Sequence, residues 1–213
     1  MKYMKLKFYT KRMSTFGLVL GLLLSPKLSL AQLTGSVSIG STGTYATWSA
    51  FSSDLSTKGL SGGLTVTVLE DLSESSIVYL KSPSTGSITN AITIDGNKKV
   101  LTSSNADAAI ILDGIDYVTV KDLTVEKTNT GSNPKGFQFM NGANYNTISS
   151  CTIYFSGLTT ANTSTSTGGA YVVFSNSATA MLSSSTTYAG IYNTVEKCRM
   201  YTRSGSPGPT AAV

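Results

Sequence analysis

The chain spells nearly the same ten residues twice, and that repetition limits its folds more than any other feature. Tyr145–Tyr154 reads YNTISSCTIY, and forty-seven positions later Tyr192–Tyr201 reads YNTVEKCRMY. A third segment, YVTVKDLTV at 117–125, follows the same grammar. Each has Tyr, then Thr two later, a β-branched residue, two polar residues, an apolar one, a variable one and a last apolar one. Just upstream, IILDGIDY (110–117) matches QFMNGANY (138–145). Each unit therefore reads strand, turn at Asp/Asn-Gly, strand, two-residue corner, strand.

Alternation within these pieces assigns their faces. Val120, Ile148 and Val195 point inward, as do Leu123, Cys151 and Cys198, then Val125, Ile153 and Met200. Thr119, Thr147 and Thr194 point outward, with Thr124, Thr152 and Arg199. Such a unit cannot bury its apolar side alone, so units must stack. Short strands joined by corners stack as parallel rungs, which predicts an all-β parallel β-helix solenoid. LTVTVLE (64–70) with IVYL (77–80), and AITI (91–94) with KVLTSS (99–104), fit as divergent rungs. Ahead of them TWSAFSSDL (47–55) spaces Trp48, Phe51 and Leu55 three and four apart, which predicts a short helix capping the first rung.

The first residues belong to export. MKYMKLKFYTKR is a basic stretch, FGLVLGLLL a short apolar core and SLA before Gln32 a small-residue cleavage site. The apolar core is too short to cross a bilayer as a helix. Six of the 16 basic residues lie there and all 11 acidic residues lie after it, leaving ten against eleven and a net charge of −1. That balance provides no nucleic-acid footprint. The expected division is a signal peptide at 1–31, an N-terminal strand and capping-helix region at 32–63, β-helix rungs at 64–203, and a linker or next rung at 204–213. RSGSPGPTAAV follows a rung with no covering element, so the sequence is expected to be a fragment of a longer protein.

AIILDGIDYVTVKDLTV, NTISSCTI and NTVEKCRM resemble the right-handed parallel β-helix, or pectin-lyase-like, superfamily, in the style of secreted bacterial surface proteins. The resemblance covers roughly residues 64 to 203. It implies a right-handed solenoid and a role among polysaccharide lyases, glycoside hydrolases, adhesins and passenger-like domains, without choosing among them.

Candidate site residues follow from chemistry. A glycosidase of such a family would use paired carboxylates, and Asp113 and Asp116 in LDGIDY are the best pair. The next unit, however, carries Asn141 and Asn144 there, and Asp and Asn interchange where the task is bonding a turn. The chain has no histidine, so no histidine acid or base. Glu70, Asp71 and Glu74 cluster on what reads as a solvated turn. Cys151 and Cys198 stack at one interior position. A disulfide fits the rung spacing, yet parallel side chains suit it poorly, so two buried free thiols are preferred. Two cysteines without histidine are too few for a closed zinc site, and no metal or cofactor is expected.

The loops EKTNTGSNPKG (126–136), SGLTTANTSTSTGG (156–169) and SNSATAMLSSSTTYAG (175–190) depart from minimal corners. Their polar content, with Tyr154, Tyr188, Tyr192 and Tyr201 nearby, suits carbohydrate contact, and Asn162 begins a glycosylation sequon. The expectation is an exported or cell-surface scaffold that binds glycans or mediates adhesion. The alternative is a polysaccharide lyase or glycoside hydrolase whose site is incomplete here. A remote third option is binding of ice or another crystal by the Thr119–Thr147–Thr194 row.

Overall fold

Every strand pairs in parallel with its counterpart one turn of chain away. The structure is a computed structural model that describes residues 31–84, 86–129, 134–157, 169–175 and 190–202. Residues 1–30 of the expected signal peptide, Tyr188, Asn162 and 204–213 lie outside the described residues.

The described residues form three parallel sheets. The six-stranded sheet contains β1 (Leu33–Ile39), β2 (Leu60–Val68), β5 (Ile92–Asp95), β8 (Val118–Lys121), β11 (Thr147–Ser149) and β14 (Thr194–Glu196). The five-stranded sheet contains β3 (Leu72–Glu74), β6 (Val100–Ser103), β9 (Thr124–Lys127), β12 (Thr152–Phe155) and β15 (Arg199–Thr202). The four-stranded sheet contains β4 (Val78–Leu80), β7 (Ala108–Asp113), β10 (Lys135–Met140) and β13 (Ala170–Phe174). The chain visits them in that order and returns, which makes a parallel β-helix solenoid. Ile148 pairs with Val120 on one side and Val195 on the other, as the repeat requires. Val120, Ile148, Leu123, Cys151, Val125 and Ile153 are buried in one apolar core, while Val195, Cys198 and Met200 pack against it half-buried.

Three segments differ from the sequence expectation. Leu72–Glu74 is strand β3, not a solvated acidic turn, and Glu74 is buried. It is needed there, because its carboxylate accepts the Ser49 N–H at 3.2 Å and the Ser49 hydroxyl at 2.6 Å. The ends of 126–136 are not surface loop: Glu126 and Lys127 close β9, and Lys135 and Gly136 open β10. AYVVF, between two polar stretches, forms β13.

The capping helix is α1 (Trp48–Lys58). Thr47 caps its start by accepting the Ala50 N–H at 3.1 Å, and Gly59 ends it with φ 69°. Trp48, Phe51 and Leu55, one helical face, are fully buried. The Ser52 hydroxyl also donates to the Tyr79 carbonyl at 2.6 Å, tying α1 to β4.

The repeated tyrosines and asparagines make the corners. Tyr117, Tyr145 and Tyr192 all have left-handed φ (57°, 55° and 58°), as do Asp122, Ser150 and Lys197 (52°, 53° and 55°). A bulky residue there is unusual and costs of order 1–3 kcal/mol. The next residue offsets that cost. The Asn146 side chain accepts the Val118 N–H at 2.8 Å and donates to the Ile115 carbonyl at 3.0 Å. Asn193 repeats the device one turn on, accepting the Asn146 N–H at 2.9 Å and donating to the Ala143 carbonyl at 2.8 Å. Asn146 is fully buried, so Asn146→Ala orphans two buried backbone groups at about 1–3 kcal/mol each. Urea unfolding is expected to show Asn146→Ala losing at least about 2 kcal/mol, and half-buried Asn193→Ala losing clearly less. Equal, small losses would mean that the asparagine stitches do not hold the corners.

Candidate functional site

The outer face of the six-stranded sheet carries an uninterrupted hydroxyl row. The strand registers place Ser36, Thr65, Thr93, Thr119, Thr147 and Thr194 side by side. Outward alternation put three of these threonines in a row from sequence; the other members sit in units too divergent to align. The neighbouring column mixes Ser38, Thr67, Asp95, Lys121, Ser149 and Glu196. Within it Lys121 pairs closely with Asp95, which lowers the Asp95 carboxyl and raises the Lys121 ammonium.

Just before these strands runs a tyrosine ladder. Tyr117 and Tyr145 stack with ring centroids 4.9 Å apart and planes 6° from parallel, and Tyr145 and Tyr192 stack at 4.9 Å and 17°. Tyr145 and Tyr192 are exposed, the latter at 70%. Their ring faces are used on one another, so the solvent meets ring edges, hydroxyls and the free face of Tyr192. Of the tyrosines singled out from sequence, Tyr192 joins this ladder. Tyr154 and Tyr201 stack at 5.3 Å on the five-stranded sheet, with Arg199 lying 5.6 Å from the Tyr201 centroid. Tyr117 and Tyr145 complete the first ladder; the signal for them was their place in the repeat.

The acidic pair is engaged across turns. Asp113 accepts the Asn141 amide and faces Lys81 at 3.3 Å. Asp116 accepts the Asn144 main-chain N–H at 2.7 Å. Asn144 does the same for the Ile191 N–H at 2.8 Å, so the acid and the amide perform one task in successive turns. Among the described residues, no three or more His, Cys, Asp or Glu side chains are grouped so that they could hold a metal ion, and no helix is long and apolar enough to cross a membrane.

Two fully buried lysines went unnoticed in the sequence. Lys127 donates to the Asn105 carbonyl at 2.8 Å, to its side-chain oxygen at 3.1 Å and to the Ser103 hydroxyl at 3.0 Å. Lys135 lies 3.8 Å from Asp107. Burial pushes both ammonium groups down, Lys127 to about 7, while Asp107 opposes the shift. Alternation could have found Lys127, since it falls two after the inward Val125.

Cys151 and Cys198 are free thiols at adjacent turns, the first buried and the second half-buried. Each thiol donates to main-chain carbonyls, Cys151 to Ser149 at 3.4 Å and Cys198 to Glu196 at 3.3 Å. The neighbouring thiol, then burial, pushes Cys151 up; the Cys151 thiol draws Cys198 down to about 7 against its own burial. Only a thiolate alkylates quickly. In the folded protein, iodoacetamide is therefore expected to label Cys198 first, with half-maximal rate near pH 7, and to spare Cys151. Cys151→Ala removes the neighbouring thiol and should move that midpoint upward. An unmoved midpoint would show that the two thiols do not influence one another.

No protein-family model, no curated protein and no solved structure matches this chain.

Proposed function

We propose that the protein is an exported or cell-surface β-helix scaffold, related to the right-handed pectin-lyase-like superfamily, that binds polysaccharide and serves in adhesion. One observation carries this reading. The threonine row and the Tyr117–Tyr145–Tyr192 ladder lie next to each other along the solenoid, giving a long strip dense in hydroxyls. A sugar polymer presents hydroxyls and apolar ring faces along its length, and such a strip can match it through many weak hydrogen bonds and one exposed aromatic face at Tyr192. Extended contact of this kind suits binding and holding. The export-signal reading of 1–31 and the near-neutral remainder of the chain agree with work outside the cell on an uncharged polymer.

The competing reading is a lyase or glycosidase. Its strongest acids, Asp113 and Asp116, are both bonded to the following turn, which favours a corner role. A glycan array run beside a reducing-end assay separates the two. The expected outcome is retention of neutral polysaccharide without release of reducing ends. The triple change Tyr117→Phe, Tyr145→Phe, Tyr192→Phe keeps the stack and removes its hydroxyls, so affinity should fall roughly tenfold, about 1.4 kcal/mol, with melting unchanged. Reducing ends that disappear in the Asp113→Asn, Asp116→Asn double variant would establish catalysis instead.

A further inference from the structure

The corner between the five- and four-stranded sheets holds a cluster that the hydroxyl strip does not use. Lys127 Nζ lies 3.1 Å from Asn105 Oδ1, the oxygen bound to the side-chain amide carbon. The Ser103 hydroxyl sits between the two nitrogens, 3.0 Å from Lys127 Nζ and 2.8 Å from Asn105 Nδ2. The Asp107 main-chain N–H donates to Asn105 Oδ1 at 2.9 Å. Lys127 and Ser103 are fully buried, and Asn105 is half-buried. An amine beside a polarised amide, with a hydroxyl joining the attacking and leaving nitrogens, contains the parts of an acyl transfer.

We infer that Lys127 and Asn105 condense into an intramolecular amide bond joining adjacent turns of the solenoid. The Lys127 nitrogen attacks the Asn105 side-chain carbon, and the carbonyl electrons move onto Oδ1. There the Asp107 N–H stabilises the developing charge, as an oxyanion donor does. A proton passes from Lys127 Nζ to the Ser103 hydroxyl, which gives its own to Nδ2, now able to accept it. The Cγ–Nδ2 bond then breaks and ammonia leaves on the solvent side of Asn105. The two side chains together lose one ammonia, nothing is oxidised or reduced, and no co-reactant is needed. Attack requires the neutral amine, and burial already brings Lys127 down to about 7. The product would remove a buried charge and tie residue 105 in the second turn to residue 127 in the third.

Tryptic mapping of the full, folded protein by mass spectrometry tests this directly. The expected product is one branched peptide, 100–121 joined to 122–135, lighter by one ammonia than the two together and uncut after Lys127. Lys127→Met or Asn105→Ala should restore separate peptides. Ser103→Ala retains both reacting groups and should slow cross-linking by roughly 10²-fold. An ammonia loss confined to a single peptide, as ring closure at Asn141-Gly142 would give, does not join two segments and counts against the bond. The wild-type protein alone decides the matter if a variant does not fold. Separate peptides of unmodified mass, with full cleavage after Lys127, would overturn the proposal.

Discussion

The constraint on which everything else depends is that each turn must hydrogen-bond in register to the turn before it. Parallel strands offer evenly spaced bonds only if equivalent residues stay level, and a corner off by one residue would turn an entire apolar set outward. Register is therefore enforced at the corners as well as in the strands. Asp122 N–H donates to the Ser149 carbonyl at 3.2 Å, and Ser150 N–H to the Glu196 carbonyl at 3.1 Å. Tyr117 and Tyr145 N–H groups likewise donate to Asn144 and Ile191 carbonyls. The left-handed tyrosines and their following asparagines are the local means to that end. The duplicated ten residues encode a corner that works, copied.

Level stacking also governs which side chains can repeat. Rungs lie about 4.8 Å apart, so a residue meets its own copy at contact distance. Tyrosines gain from this by stacking, and threonines tolerate it. Like charges do not, since they repel by about 1 kcal/mol at 4 Å even in water and more near a protein surface. The outward column obeys the rule where Asp95 meets Lys121. The acids also meet no like charge: Asp113, level with Met140, accepts the Asn141 amide, and Asp116 bonds to the Asn144 main chain. An amide in the next turn keeps the acceptor and removes the repulsion.

This explains what could be read in the sequence and what could not. Faces, corners, stacked turns and the helix over the first of them were legible because period-two alternation and the repeat encode them directly in Val120, Ile148, Val195 and their neighbours. The α1 face was legible because Trp48, Phe51 and Leu55 follow the helical spacing. Strand β3 was not, because Leu-Ser-Glu is three residues long and looks like part of an acidic run. Glu74 is buried by its bonds to Ser49, a partner twenty-five residues away that no local pattern reveals. Thr65 and Thr93 escaped the outward row for a similar reason: their units had drifted in sequence while keeping register in space. Lys127 was hidden by its type, since charged residues are almost never fully buried unless paired.

That exception marks a corner where the general solution fails. At the position of Lys127 the adjacent turns carry Ser103 and Phe155 in register, so the interior there is neither uniformly apolar nor uniformly polar. A cation placed in it must be fully hydrogen-bonded or else neutral. Ser103 and Asn105 supply three acceptors within 3.1 Å, which satisfies an ammonium group, but burial, opposed by Asp107 and aided by Lys135, disfavours its charge. A neutral amine relieves that cost and leaves a nucleophile in hydrogen-bond contact with a side-chain amide. The same short contacts that make the lysine tolerable as an ion therefore place it for reaction once it loses its proton. At many positions register places like residues beside like, as in the threonine row; here it brings an amine, a hydroxyl and an amide from two turns into one corner.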